Sequence, residues 1–183
     1  NWVAYGFESG SKRVLADVHK GYRLEEVERV VRMTRDQGQH ICANYIFGLP
    51  EDDAASLRET LDFMLSINAE WANIYSAMAY PGSRLHALAV ESGWPLPATW
   101  QGYSQYSEDC LPLPTRHLTG GQVLAFRDEA FNAYYRRQSY LDLIQEAFGP
   151  ETMRHVRQMA SRTLVRTHAQ PLDQDLPRPR PRP

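Results

Sequence analysis

Asn44-Tyr45-Ile46-Phe47-Gly48-Leu49-Pro50-Glu51 decides the fold of this 183-residue chain. An apolar run, Ile41 to Phe47, stops abruptly in Gly-Leu-Pro-Glu, and Leu57, Leu61, Met64 and Leu65 then recur at helical spacing. The pattern reads as a strand that delivers a tight loop to a helix, with Asp52 or Asp53 as its N-cap. A near-continuous run such as 41–47 is expected of a strand buried on both faces.

The same unit recurs on either side. Upstream, Trp2 to Phe7 runs into Glu8-Ser9-Gly10-Ser11. Ser9 or Ser11 is suited to cap a helix over Lys12 to Val18, and Lys20-Gly21 closes that turn. Leu24, Val27, Val30 and Val31 carry a longer helix that stops at Gly38. Downstream, Ala72 to Ala79 reads as a strand entering Tyr80-Pro81-Gly82-Ser83, and Leu85, Leu88, Ala89 and Val90 as a short helix ended by Gly93. Strands alternating with helices need crossover connections, which make the sheet parallel and bring the three loops to one rim.

Beyond Trp94 the texture changes. Residues 94–118, rich in Pro, Tyr, Ser and Trp, predict an irregular connection lying over the open face. Thr119 is placed to cap a helix from about Gly121 to Ala147 with an aromatic stripe, and Pro150 to start another. The expected division is 1–93 for three β/α units, 94–118 for the connection, 119–168 for a helical region and 169–183 for a disordered Pro/Arg tail.

Composition excludes several classes. A net charge of -2, with 43% hydrophobic and 23% charged residues, is ordinary for a globular domain and gives no signature of nucleic-acid binding. No run is long enough for a membrane span. Two cysteines, Cys42 and Cys110, make no disulfide framework and fit a cytoplasmic protein. Cys42 reads as an inert buried thiol. Six scattered histidines show no metal-ligand spacing, so no metal ligand and no catalytic residue is assigned within the chain. It opens on Asn1 inside a strand, as a piece of a longer polypeptide would.

Glu8-Ser9-Gly10-Ser11 after a strand, Lys20-Gly21, Gly48-Leu49-Pro50-Glu51 and Tyr80-Pro81-Gly82-Ser83 stand in the order and spacing of radical S-adenosylmethionine (SAM) enzymes. The chain resembles the branch that often carries an N-terminal cobalamin-binding domain. The resemblance implies the C-terminal half of a partial (β/α)6 barrel, namely its fourth to sixth strands, followed by a helical region resembled through Phe126 to Glu129 and Tyr134-Tyr135. It implies a [4Fe-4S] cluster ligated by a CxxxCxxC loop outside this chain, S-adenosylmethionine cleaved to a 5'-deoxyadenosyl radical, and cobalamin as a further cofactor for methylation.

The resemblance also assigns roles. Glu8 and Ser9 face the ribose or amino group of the cofactor. Ile46 and Gly48 of a GxIxGxxE-like loop lie beside the adenine, with Asn44 standing where the pattern has its first Gly. Tyr80 and Pro81 flank the adenine, and Glu51 closes the loop by accepting backbone N–H groups. The substrate is an unidentified small molecule contacted by the missing strands, the variable loops and any cobalamin domain, and the chain alone is expected to be inactive and prone to associate. The alternative reading is a non-catalytic α/β module whose loops bind a nucleotide-like ligand or a partner.

Overall fold

In a computed structural model, residues 1–172 are described. Three strands, β1 (Trp2–Glu8), β2 (His40–Phe47) and β3 (Trp71–Ser76), form a parallel sheet in the order β1-β2-β3. Helices α1 (Lys12–Asp17) and α2 (Leu24–Asp36) join β1 to β2, and α3 (Ala54–Ile67) joins β2 to β3. The strand order advances in one direction, so right-handed crossovers put their helices on the same face. The other face of the sheet receives no crossover helix.

Burial along β2 follows from that asymmetry. Ile41, Ala43, Tyr45 and Phe47 are each 0% exposed beneath the helices, whereas His40, Cys42, Asn44 and Ile46 are half-buried on the opposite face. The expectation that this apolar run is buried on both faces is therefore met on one face only. Cys42 belongs to the half-buried set, and Cys110 is the buried thiol, in a small cluster with Met78, Tyr103 and Leu124. Burial raises both thiols above their ordinary range, which leaves neither suited to act as a thiolate.

The remaining elements are α4 (Arg84–Glu91), a single 3₁₀ turn (Trp100–Tyr103), α5 (Gly120–Tyr135) and α6 (Gln138–Ser161). Thr119 caps α5 by a reciprocal exchange: its hydroxyl accepts the Gln122 N–H and the Gln122 amide oxygen accepts the Thr119 N–H. The helix expected to run to Ala147 breaks at Arg136 and Arg137. Arg136 donates to the Ala160 carbonyl and Arg137 to the Asn68 side chain, so tertiary contacts hold a corner there. α6 breaks again at Gly149, whose positive φ of 85° precedes Pro150. The expected tail falls outside the described residues from 173 onward.

α5 and α6 share the core of the sheet. Val123, Phe126, Tyr134, Tyr135, Tyr140 and Ile144 belong to one buried cluster with Tyr45, Phe47, Leu57 and Met64. Their phenols also fasten the start of β3: Tyr134 donates to the Ala69 carbonyl, Tyr140 to that of Glu70 and Tyr135 to that of Ala72. The Ala72 N–H donates back to the Tyr135 oxygen. Farther along the same outer edge, Arg127 donates to the Ile74 carbonyl, and the Gln105 amide pairs with both the N–H and the C=O of Ser76. Side chains thus occupy the row of polar groups that an edge strand leaves open. Residues 94–118 run along this edge of β3, through Gln105 at Ser76 and a Leu113 N–H bond to the Ala77 carbonyl.

Candidate functional site

Parallel pairing brings the C-terminal ends of all three strands to one rim, where the chain leaves at Glu8, Phe47 and Ser76. In open α/β sheets this end is where loops are free to vary while the strands fix their roots.

The first loop starts with an irregularity. The register slips between Gly6 and Glu8, and Glu8 takes a positive φ of 54°, an uncommon state for a non-glycine residue. The slip turns its carboxylate back over Gly6, onto the face without helices, where a Cβ on Gly6 would lie 2.6 Å from Glu8 Oε1. Lys20 Nζ donates to that oxygen at 2.9 Å. Oε2 has no hydrogen-bond partner among the described residues.

Ser9 points the other way. It is 0% exposed; its hydroxyl pairs with Thr60 Oγ1 at 2.9 Å and accepts the Ser11 N–H at 3.1 Å. These contacts attach the loop to α3 through the Ser9 side chain. Neither serine side chain caps α1: Ser11 is the N-cap residue by backbone but makes no side-chain bond. Gly10 completes the attachment, because a Cβ there would stand 2.5 Å from the Glu59 carbonyl oxygen and 2.6 Å from Phe63 Cβ.

The second loop is closed by Asp52, not by Glu51. Asp52 Oδ2 accepts the N–H groups of Gly48 and Leu49 at 3.0 and 2.9 Å, while Oδ1 accepts the Ser56 hydroxyl at 2.6 Å. Asp53 is the N-cap of α3, with Oδ1 accepting from the Ser56 N–H. Glu51 is turned outward and pairs with Arg116 at 2.9 Å. Asp52 is 1% exposed, and that burial pushes its carboxyl up to about 6, although the three hydrogen bonds favour the ionised form.

Glycine at 48 answers to two local demands. Its φ is 85°, and a Cβ there would come within 2.5 Å of Val123 Cγ1 on α5. Ile46 stands one residue before Phe47 on the half-buried face, and Asn44 below it donates to the Tyr5 carbonyl and accepts from Asn73 Nδ2. Asn44 is thereby built into a polar rung across all three strands.

The third strand ends earlier than its apolar pattern implies. β3 stops at Ser76; Ala77 still donates to the Phe47 carbonyl, and Tyr80 and Pro81 stand beyond it on the loop. The Tyr80 ring is 50% exposed and stacks on Tyr103 at 5.9 Å. Ser83 then caps α4 by accepting the His86 N–H.

The rim therefore gathers Glu8 and Ile46 on the face without helices, Gly48 at its buried margin, and Tyr80 and Pro81 on the adjoining loop. Ser9 and Asp52 anchor the loops from behind. Asp52 could have been singled out from its place beside Gly48-Leu49, where an acidic side chain can reach back to preceding N–H groups. Among the described residues, no three His, Cys, Asp or Glu side chains are grouped as a metal site, and no helix is long and apolar enough to cross a membrane.

No family model matches the chain. It is 26% identical over 139 residues to an uncharacterized methyltransferase of Pyrococcus horikoshii, covering 76% of this chain and 30% of that protein. It is 30% identical over 80 residues to a putative methylthiotransferase of Methanocaldococcus jannaschii, covering 44% of this chain and 17% of that protein. A tRNA-2-methylthio-N(6)-dimethylallyladenosine synthase of Thiobacillus denitrificans is 32% identical over 73 residues, 38% of this chain and 16% of the synthase. The chain thus spans less than a third of the length of these relatives.

Proposed function

We propose that this chain forms the C-terminal half of the partial (β/α)6 barrel of a radical SAM enzyme and that its rim holds the adenosyl end of S-adenosylmethionine. The observation that carries the reading is the gathering of Glu8, Ile46, Gly48 and Tyr80 at one end of a parallel sheet whose crossover helices lie on one face only. The methyltransferase and methylthiotransferase names of the relatives support methyl- or methylthio-transfer chemistry for the whole polypeptide.

The rim suits the organic part of that cofactor. Glu8 retains an uncommitted carboxylate oxygen, a matched acceptor for ribose hydroxyls, while Lys20 Nζ holds its other oxygen in place. Ile46 and the half-exposed Tyr80 ring offer apolar surface for a flat base. Ser9 and Gly10 fix the Glu8 loop on α3, and Asp52 holds the Gly48 loop in shape, so all three act as positioning residues. Bound beside a [4Fe-4S] cluster, S-adenosylmethionine supplies one-electron hydrogen abstraction, or a methyl group where cobalamin is also present. The cluster's ligands lie outside the described residues, and the residues of this chain bind, orient and shield the nucleoside.

The test uses the intact protein, reconstituted anaerobically with iron and sulfide. A brown chromophore and reductant-dependent release of 5'-deoxyadenosine or S-adenosylhomocysteine are expected. Glu8→Gln should weaken S-adenosylmethionine binding about tenfold, the size of one charge-assisted hydrogen bond. Ser9→Ala should lower stability and, by loosening the Glu8 loop, weaken that affinity by less than Glu8→Gln does. Absence of the chromophore, together with an upstream sequence lacking CxxxCxxC, would return the chain to the class of non-catalytic binding modules.

A further inference from the structure

A second concavity lies away from the rim, along the outer edge of β3, under α5 and the chain that follows α6. Its volume is about 290 Å³ and its walls include the rings of Trp71, Tyr106, Phe131 and Tyr135. A cavity of that size takes a molecule built on a single ring.

The charge beside it is unbalanced. Arg127 is 2% exposed, with Nε donating to the Ile74 carbonyl at 2.8 Å and Nη1 to Asp128 Oδ1 at 2.7 Å. Asp128 also receives Arg166, whose side chain is 4% exposed, at 2.8 and 3.0 Å. Arg166 commits its other contacts to the carbonyls of Ser107 and Gln105. A further guanidinium, Arg162, lines the cavity from an exposed position. Among the described residues of this cluster, one carboxylate therefore serves two buried guanidiniums. Arg127 Nη2 has no hydrogen-bond partner among them.

A buried cluster of two guanidiniums and one carboxylate is short of one negative charge, and the uncommitted Nη2 of Arg127, on a residue that lines the cavity, is matched by a carboxylate oxygen. The aromatic walls add the second half of the recognition. Tyr106 and Phe131 already flank the Arg127 guanidinium, at 5.4 and 5.6 Å from their ring centres, and a flat ring offers them more of the same kind of face.

We propose that this cavity binds a small aromatic carboxylate, its anion paired with Arg127 and its ring packed against the aromatic walls. The residues involved are separate from those of the rim, so the assignment does not rest on the proposed cofactor site.

Benzoate is the probe, titrated calorimetrically into the intact protein, with benzamide and benzylamine as neutral and cationic counterparts of similar shape. A dissociation constant on the order of 1 mM is expected for a probe this small. Benzamide should bind at least about tenfold more weakly, because it lacks the charge that Arg127 reads. Leu164 lines the cavity and is 38% exposed, so Leu164→Trp can block the space with little disturbance of the core. That variant should lose benzoate binding while keeping its melting temperature, and Arg162→Ala should weaken binding several-fold. Equal affinity for benzamide and benzoate, unchanged binding in Leu164→Trp, or no binding at about 10 mM, ten times the expected constant, would each overturn the assignment.

Discussion

The two faces of the sheet are built from alternate residues of the same strands, yet they carry different duties. On the helix-covered face, Ile41, Ala43, Tyr45 and Phe47 are removed from water completely. On the other, Cys42, Asn44 and Ile46 remain half-buried, and an amide pair between Asn44 and Asn73 replaces apolar packing. The difference teaches that stability is concentrated on one side of the backbone, which leaves the residues on the other free to meet a ligand or further chain. The sharpest way to break this comparison is a pair of adjacent truncations. Phe47→Ala should cost about 3–5 kcal/mol, the usual toll of a large cavity in a core. Ile46→Ala, one residue away, should cost about 1 kcal/mol, because only part of its surface is shielded. Denaturant unfolding of the intact protein measures both, and equal losses would mean that the two faces are packed alike.

The covered side also imposes a pH dependence on the rim. Asp52 is buried with its loop, and its carboxyl rises from the ordinary 3.8 to about 6 in the fold. Between those values the folded state binds more protons than the unfolded one, so this group's contribution to stability falls as pH rises from about 4 to about 6 and is level above that. A shift of about two units corresponds to at most about 3 kcal/mol. In Asp52→Asn the descent should vanish, so the stability difference between parent and variant should change across that window and stay constant above pH 7. A parallel pair of pH profiles would show that Asp52 titrates as it does in the unfolded chain.

A third effect separates the two edges of the sheet. At β3, the Tyr135 hydroxyl is bonded to both backbone groups of Ala72, whereas no strand pairs with the outer edge of β1 among the described residues. Tyr135→Phe strands a buried N–H and a buried C=O, and should cost about 1–2 kcal/mol. Ala4, exposed on β1, should accept Thr with a change of no more than about 0.5 kcal/mol by the same unfolding measurement.

Much of this layout was legible in the sequence. The apolar run before Gly48, the stop at Gly38 and the Thr119 cap each rest on local chemistry: a backbone conformation, or a hydroxyl within reach of a nearby N–H. Other features depend on distant groups that no window contains. Ile41 to Phe47 are apolar or small enough that the sequence cannot say which alternate set faces the helices. Asp52 and Glu51 are neighbouring carboxylates, and only the course of the loop decides which one reaches Gly48. Ser9 looked available because its partner, Thr60, lies 51 positions on. The corner at Arg136-Arg137 contains neither Gly nor Pro, since its cause is a pair of long-range guanidinium contacts. The Arg127-Asp128-Arg166 cluster is likewise assembled across 38 positions.

The smallest expected effect lies at the centre of the covered face. Tyr45 is 0% exposed, and its hydroxyl is buried without a hydrogen-bond partner among the described residues. Burial raises its pKa well above the ordinary phenol value, so it stays protonated and takes no part in acid-base chemistry. An unsatisfied hydroxyl costs the water it gave up, while its ring packs in the aromatic group of Phe7 and Phe63. Tyr45→Phe keeps the ring and removes the orphaned oxygen, leaving only a small void. Stability should therefore be unchanged or should rise by up to about 1 kcal/mol. A loss above about 1 kcal/mol on unfolding would mean that the hydroxyl is satisfied in solution, and that the covered face is not the dry surface on which the contrast between the two faces depends.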